Sequence, residues 1–175
     1  STTTAGSFVY QVRDDYNCLT DVFNVTVTPT TSISIKFFIE GYYNSTSYAM
    51  RPVKVNQGIG QNNTEVDSIT VELRDSATLN LITSSTTNLL TNGTANVQFN
   101  SVINGLYYLV IKHRNMIETW SANPILISAN TPLYDFSTEI TKAYGSNMTE
   151  VENGVWAIYS GDVNQDSNAD NQDYS

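Results

Sequence analysis

Aspartate and asparagine residues occupy a characteristic set of positions between Asp162 and Asp173. If Asp162 is position 1 of a twelve-residue loop, oxygen ligands fall at positions 1, 3, 5, 9 and 12. These ligands are Asp162, Asn164, Asp166, Asp170 and Asp173, and Asn168 at position 7 would offer its backbone carbonyl. Ca²⁺ takes six to eight hard oxygens at about 2.3–2.6 Å, and a tightly wound loop turns alternate side chains inward to supply them. The pattern predicts a calcium-binding loop.

Three positions depart from the usual loop. Position 6 is Ser167, where glycine normally allows a positive φ, and another residue there costs about 1 kcal/mol. Position 8 is Ala169, where a larger aliphatic residue usually packs. Position 12 is Asp173 rather than Glu, which resembles dockerin loops more than cytosolic calcium sensors. The alternative is a solvated acidic tail, but four of the chain's 17 carboxylates stand here at ligand spacing. We expect one calcium site with a dissociation constant of about 10⁻⁴–10⁻³ M.

The composition favours strands and argues against two classes of partner. Charged residues make up 14% of the 175 residues, against about 25% in an ordinary soluble domain. Ser, Thr and Asn replace them, and eleven Tyr with six Phe favour strands. A net charge of −9 argues against binding to nucleic acid or to an anionic membrane, because both need a basic face. The sequence has no run of about 18 apolar residues, so we expect no membrane insertion.

Short segments of alternating polar and apolar residues position the loop. Strands are predicted at 33–39, 69–73, 79–81, 97–99, 105–112, 125–128, 134–136 and 155–159. Asn-Gly pairs at residues 92, 104 and 153 mark turns between them, which favours a β-sandwich over a βαβ fold. No helix is predicted before residue 160. Residues 41–67 lack a regular pattern; they form a solvated connection with an edge strand at 50–53, or else a binding surface.

Residues 1–30 have the pattern of two strands joined by a turn at Asp14-Asp15-Tyr16-Asn17. Two strands alone are marginal in water, so we expect them to be the last strands of an upstream immunoglobulin-like domain. Pro29-Thr30-Thr31 reads as a linker. The predicted organisation is therefore 1–30 as the end of that domain, 32–160 as an immunoglobulin-like β-sandwich, and 161–175 as a truncated calcium loop. Cys18 is the single cysteine, and it is either a lone thiol or paired with a cysteine elsewhere.

Several segments in this order resemble a known kind of module. They are FFIEGYY (37–43), MRPV (50–53), ITVELRD (69–75), YYLVIKHRN (107–115), IETWS (117–121), AYGSN (143–147) and VWAIYSGD (155–162), followed by the loop. The chain from about residue 33 resembles a C-terminal module of large secreted and cell-surface proteins of gliding-type Gram-negative bacteria. A second aspartate-rich loop usually follows in that family, and here it is absent from the sequence.

The resemblance implies an extracellular or cell-surface location, export by the type IX route and no catalytic role. Residues 1–30 resemble the end of the tandem repeats of such proteins, which often carry a cysteine in this turn. That likeness implies that the partner of Cys18 lies upstream of Ser1. Ser68 and Ser76 follow aspartates in the short Asp-Ser/Thr pattern of O-glycosylation in this bacterial group, although such patterns also arise by chance.

Two other groups of residues are weaker candidates for a binding site. His113 lies in Lys112-His113-Arg114, which could touch an anion but is better explained as a solvated or salt-bridged group at a strand end. Trp120, Trp156 and the pairs at 42–43 and 107–108 could stack on sugar rings, although aromatic residues in a sandwich are more often core. We find no pairing of a nucleophile with a base, no zinc spacing and no phosphate loop.

Three functions remain open from the sequence. The first is a non-catalytic structural or adhesive module of a bacterial surface protein, stiffened by Ca²⁺ at its C-terminal junction. Its partners would be other segments of the same long protein or neighbouring surface proteins. The second is a carbohydrate-binding module attached to a secreted enzyme, with glycans as partners. The third is a docking module that presents the loop to a protein, and the missing second loop argues against it.

Overall fold

The computed structural model describes residues 6–27, 30–100, 102, 104–128 and 131–174. The proposed linker residue Pro29 and the two ends of the chain, Ser1 and Ser175, lie outside these ranges. The strands are β1 Gly6–Arg13, β2 Leu19–Val27, β3 Thr30–Lys36, β4 Tyr43–Asn44, β5 Ala49–Met50, β6 Glu65–Asp75, β7 Leu81–Leu90, β8 Thr94–Asn100, β9 Gly105–His113, β10 Met116–Trp120, β11 Ile125–Ile127, β12 Tyr134–Asp135, β13 Thr149–Glu152 and β14 Val155–Ala157. The described chain is mostly strand, which confirms the all-β class.

Two larger sheets contain most of the strands after β2. One is antiparallel in the order β10-β9-β6-β7, and β11 lies beside the first residues of β9. The other has the order β12-β3-β8, with β3 and β8 antiparallel and β12 parallel to β3. The chain passes from β7 to β8 through a tight turn at Asn92-Gly93, where Gly93 has φ 86. A Cβ atom at Gly93 would lie 2.7 Å from the carbonyl oxygen of Phe37, so the turn requires glycine.

Alternate residues of both sheets enter one hydrophobic cluster. Ile33 and Ile35 of β3 are fully buried, as are Val71 and Leu73 of β6 and Leu109 of β9. Burying each of these side chains stabilises the fold by about 1.5–3 kcal/mol. The period-two pattern therefore assigns one face of β6 and β9 to the core, while the other face carries polar residues on β6 and the apolar residues Leu106, Tyr108 and Val110 on β9.

The remaining strands form small sheets. β1 and β2 pair as an antiparallel hairpin in a sheet of their own. β13 and β14 are joined by a turn in which Gly154 has φ 74, at the predicted Asn-Gly pair. Between them and the core strands, the chain makes short 3₁₀ turns at Phe136–Thr138, Ile140–Lys142 and Tyr144–Ser146.

The structure differs from the sequence-based prediction at several places. Thr30 and Thr31 begin β3 rather than form a linker, β3 ends before residues 37–39, and β10, β13 and most of β7 were not predicted. Residues 50–53 do not form one edge strand, because β5 ends at Met50 and Val53–Asn56 forms a single α-helical turn, α1. Val53 is buried, and a four-residue helix is too short to give a helical period in the sequence. Leu79 is a further difference, because it lies in the β6–β7 turn with φ 60 rather than in a strand. No helix within the described ranges is long and apolar enough to cross a membrane.

Candidate functional site

The aspartate-rich loop begins at Gly161 and winds through two residues in the left-handed region. Gln165 has φ 62 and Ser167 has φ 72, while Gly161 has φ 110. Ser167 thus adopts the positive φ that position 6 of the loop requires, despite lacking the freedom of glycine. The reason is visible in the hydrogen bonds of the loop, which use aspartate side chains to hold successive backbone N–H groups.

Asp162, at position 1, anchors the first turn. Its Oδ1 accepts a hydrogen bond from the N–H of Asp166 at 3.1 Å, and its Oδ2 accepts one from the N–H of Ser167 at 3.1 Å. Only 1% of Asp162 is exposed to solvent. A buried carboxylate with both oxygens engaged fixes the backbone between positions 1 and 6, including the left-handed residue at position 6.

Shorter turns of the same kind follow along the loop. Oδ1 of Asn164 accepts from the N–H of Asp166 at 2.9 Å, and Oδ1 of Asp166 accepts from the N–H of Asn168 at 2.9 Å. Oδ1 of Asp170 accepts from the N–H of Gln172 at 2.8 Å. Asp and Asn side chains commonly bond the backbone two residues on, so these contacts explain the compact winding without any ion.

Asp173, at position 12, closes the loop. Its Oδ2 accepts from the N–H of Asp170 at 2.8 Å, while its Oδ1 accepts from the N–H groups of Asn164 at 3.1 Å and Val163 at 2.7 Å. These hydrogen bonds lower the pKa of the Asp173 carboxyl below its usual value, and the bond from the N–H of Asp170 has the largest effect. The carboxylate therefore stays ionised at neutral pH. The 3₁₀ turn Asn171–Tyr174 begins beside it.

The six predicted ligands share this one loop, and their donor atoms are the hard oxygens that suit Ca²⁺. Within the described ranges, however, no three Asp, Glu, His or Cys side chains come close enough together to hold a metal ion. A bound ion would require the Asp166 and Asp173 carboxylates to turn from backbone N–H groups toward a common centre. The donor chemistry fits calcium, and the carboxylates would rearrange locally on binding.

The loop is attached to the β9–β10 turn by backbone hydrogen bonds. The N–H of Gly161 donates to the carbonyl of Asn115 at 3.3 Å, and the N–H of Ile117 donates to that of Tyr159 at 3.1 Å. The side-chain amide of Gln165 donates to the carbonyl of Asp162 at 2.6 Å and reaches that of Met116 at 3.5 Å. These hydrogen bonds thus attach the loop to the edge of the five-stranded sheet.

Beside this attachment, the three predicted basic residues divide between two ion-pair clusters. Arg114 Nε donates to Oδ2 of Asp67 at 2.8 Å, and Nε2 of His113 lies 3.2 Å from the same oxygen. The N–H of Asn115 donates to Nδ1 of His113 at 3.2 Å, so both ring nitrogens are engaged and the proton is on Nε2. The salt-bridged alternative for this triplet therefore holds for Lys112 and Arg114, whereas His113 is buried and neutral beside Asp67.

The electrostatics of this pair follow from burial. Burial lowers the pKa of His113, and although Asp67 raises it and Arg114 lowers it further, the net pKa lies below its usual value. Burial raises the pKa of Asp67, but the hydrogen bonds from the N–H of Ser68, from Arg114 and from His113 outweigh it, so that pKa is lowered. Asp67 is ionised and His113 is neutral at pH 7.

Lys112 belongs to a second cluster on the outer face of the same sheet. Its ammonium lies 3.0 Å from Glu72 and 2.9 Å from Glu118. Arg74 pairs with Glu72 at 2.7 Å, and its guanidinium carbon lies 5.2 Å from the ring centroid of Trp120. The indole N–H of Trp120 donates to Glu118 at 2.6 Å, which closes a ring of five side chains. Sequence reasoning missed this ring, because it depends on the register of three strands.

The other predicted residues are dispersed. Ser68 is exposed on β6, where its hydroxyl donates to Asn88 at 3.3 Å, and Ser76 is partly exposed in the β6–β7 turn. Cys18 is an exposed free thiol in the β1–β2 turn. Of the aromatic residues, Tyr107 is buried in the core, whereas Tyr108 and Trp120 line a surface cleft together.

Comparison with known proteins adds no relative. No protein-family model, curated protein or solved structure matches the chain.

Proposed function

We propose that this chain is a non-catalytic structural or adhesive module of an extracellular bacterial surface protein. In this proposal residues 32–160 form an immunoglobulin-like β-sandwich, and one Ca²⁺ ion in the loop from Asp162 to Asp173 stabilises its C-terminal junction. The module would be exported by the type IX route and would contact other segments of the same protein or neighbouring surface proteins.

The observation that carries the proposal is the closure of the loop by its first and last carboxylates. Asp162 holds the N–H groups of positions 5 and 6, and Asp173 holds those of positions 2, 3 and 9. The loop thereby holds the six predicted ligands within twelve positions, next to backbone that is hydrogen-bonded to the sheet edge. An ion that drew these oxygens together would tighten the loop and, through Gly161 and Gln165, its attachment to β10.

The proposal that the module is non-catalytic is supported by the hydrogen bonds of its histidine and of the acid beside it. The single histidine, His113, has both ring nitrogens in hydrogen bonds and is buried. The acid that faces it, Asp67, is occupied by Arg114 as well. Groups held in this way stabilise a fold, and they offer no nitrogen or oxygen to a substrate.

Calorimetric titration with CaCl₂ tests the proposal directly. We expect one ion per chain with a dissociation constant of about 10⁻⁴–10⁻³ M, and at least tenfold weaker binding in Asp166→Ala. Asp166 is exposed, so this variant removes a ligand without disturbing the core. Asp15→Ala, which removes an exposed aspartate in the β1–β2 turn, is the matched control. No heat of binding up to 10 mM CaCl₂, or equal affinity in Asp166→Ala, would reject the site.

A further inference from the structure

A cleft of about 290 Å³ opens on the outer face of the five-stranded sheet, and it is lined by Leu79, Tyr108, Trp120 and Tyr144. Its volume lies near the lower limit of ligand sites, about 300 Å³, which suits one small rigid body. Tyr108 and Trp120 stand on neighbouring strands with ring centroids 5.8 Å apart and a tilt of 60°. Three aromatic side chains thus share one opening, on the face of the sheet that the core does not use.

Two features indicate that the cleft is built rather than incidental. Tyr144 is 65% exposed, yet its backbone is held beside Trp120. Ser121 forms an antiparallel β-bridge with Ala143, and the N–H of Ala122 donates to the carbonyl of Lys142 at 2.8 Å. Leu79 has φ 60, a strained value for a residue with a branched side chain, and its carbonyl accepts from Arg74 at 3.3 Å. The β6–β7 turn imposes this positive φ and places Leu79 at the cleft with Tyr108 and Trp120.

The charges beside the cleft select the class of ligand. Arg74 and Lys112 are each paired with Glu72 or Glu118, so the two positive and two negative charges cancel. The Trp120 ring already carries the Arg74 guanidinium over one face, so only its other face and its edge are open to a ligand. Neither an anion nor a cation is therefore favoured. Glu118, beside Trp120, and the phenol groups of Tyr108 and Tyr144 are the polar groups at the cleft, and they suit a neutral group that can donate and accept hydrogen bonds.

We propose that this cleft binds a neutral saccharide. A pyranose ring presents an apolar C–H face that packs on aromatic rings, and a rim of hydroxyl groups that both donate and accept hydrogen bonds. Tyr108, Trp120 and Tyr144 supply the apolar surface, while Glu118, which accepts the indole N–H of Trp120, lies beside them to meet the rim. This site is independent of the calcium loop, because Tyr108 lies five residues, or about 16 Å, along β9 from His113 and the loop attachment.

Titration with neutral hexasaccharides of glucose, xylose, mannose and N-acetylglucosamine tests the proposal, with oligomannuronate as a charged comparison. The Trp156→Phe background leaves Trp120 as the single tryptophan, so its fluorescence reports on the cleft. We expect saturable binding of at least one neutral sugar at millimolar concentration or below. Tyr144→Ala should weaken that binding at least tenfold, and it should fold normally because the ring is mostly exposed.

Tyr48→Ala is the matched control, because Tyr48 is 67% exposed but lies in the β4–β5 turn away from the cleft. It should change sugar affinity less than twofold. Three results would overturn the proposal: no saturable binding of any neutral sugar up to 10 mM, unchanged affinity in Tyr144→Ala, or binding of the charged sugar alone. Binding that persists in EGTA and in Asp166→Ala would separate this site from the proposed calcium site.

Discussion

The Oδ1 atom of Asp173 accepts a hydrogen bond from the backbone N–H of Val163 at 2.7 Å. This contact joins position 12 of the loop to position 2, so the last predicted ligand closes the loop even without an ion. The Asp173 carboxylate accepts backbone hydrogen bonds and is also a predicted calcium ligand. These two roles compete, because an oxygen that binds the ion must leave or share its N–H donor.

The first prediction concerns this closure in the absence of calcium. Asp173→Ala removes the acceptor for the N–H groups of Val163, Asn164 and Asp170, so these amides should exchange with solvent deuterium faster in EGTA. Amide exchange followed by NMR measures the effect residue by residue. Asp15→Ala should leave the three rates unchanged. If Asp173→Ala also leaves them unchanged, Asp173 does not close the loop.

The second prediction is a dependence of stability on pH that comes from His113. Its pKa is lowered in the folded state, so the unfolded chain takes up the proton first as the pH falls. The free energy of unfolding should therefore decrease below about pH 6.5, by at most about 1.4 kcal/mol per pH unit. The lowered pKa of Asp67 acts in a lower window, because its contribution is present above about pH 4 and is lost only as the pH falls further.

Urea unfolding between pH 7.5 and 5.5 checks this slope, and the sequence has no second histidine to confuse it. His113→Gln should lower the stability but remove most of the slope. The NMR signal of the imidazole Cε1–H should titrate below pH 6.5. Equal stability of the wild-type protein at pH 7.5 and pH 5.5 would show that folding does not lower the pKa of His113.

The third prediction concerns Glu72, which joins Arg74 to Lys112 on the outer face. Only 7% of Glu72 is exposed, and both cations lose their shared partner when it is removed. Breaking a buried pair costs about 3–5 kcal/mol. Because Arg74 and Lys112 are partly solvated, we expect about 2–3 kcal/mol for Glu72→Ala in urea unfolding. Asp15→Ala should stay within about 0.5 kcal/mol, and an equally small loss for Glu72→Ala would contradict the role of the ring.

The fourth prediction is that the Cys18 thiol reacts freely in this chain. It is exposed in the β1–β2 turn, where its N–H donates to Asp14 at 2.8 Å. Labelling with a maleimide in native buffer should reach one equivalent at the rate of the urea-unfolded protein, within about a factor of ten. Slow or incomplete labelling would show that the turn is covered. The expected pairing with an upstream cysteine stays a prediction.

Local pattern was enough to predict strands such as β3, β6 and β9, because side-chain alternation depends only on neighbours in sequence. It missed β10, β13 and most of β7. Ile33 and Ile35, or Val71 and Leu73, alternate with polar residues, and the structure buries each of them. The left-handed Ser167 was likewise expected from its position in the loop. Leu79 was misplaced in a strand because its apolar side chain fits the alternation, whereas its φ of 60 is imposed by the turn.

Contacts between distant residues could not be predicted in the same way. Arg74 and Trp120 are separated by 46 positions and meet only because β9 lies between β6 and β10 in one sheet. Asp67 and His113 meet because β6 and β9 are neighbours in this sheet, so the burial of the histidine beside an acid could not be predicted from local pattern. The candidate calcium ligands were chosen from spacing alone, and both calcium binding and the convergence of these ligands on an ion stay predictions.

Thermal melting with and without calcium is the most direct test of the central claim, that Ca²⁺ in the loop stabilises the module. With 10 mM CaCl₂ and a dissociation constant of about 10⁻⁴–10⁻³ M, binding adds about 1.4–2.7 kcal/mol. For a chain of this size that raises Tm by about 3–10 °C over the value in EGTA. Asp162→Ala should abolish the rise, and 10 mM MgCl₂ should not reproduce it. Equal Tm values in CaCl₂ and EGTA, or the same rise in Asp162→Ala, would contradict the account.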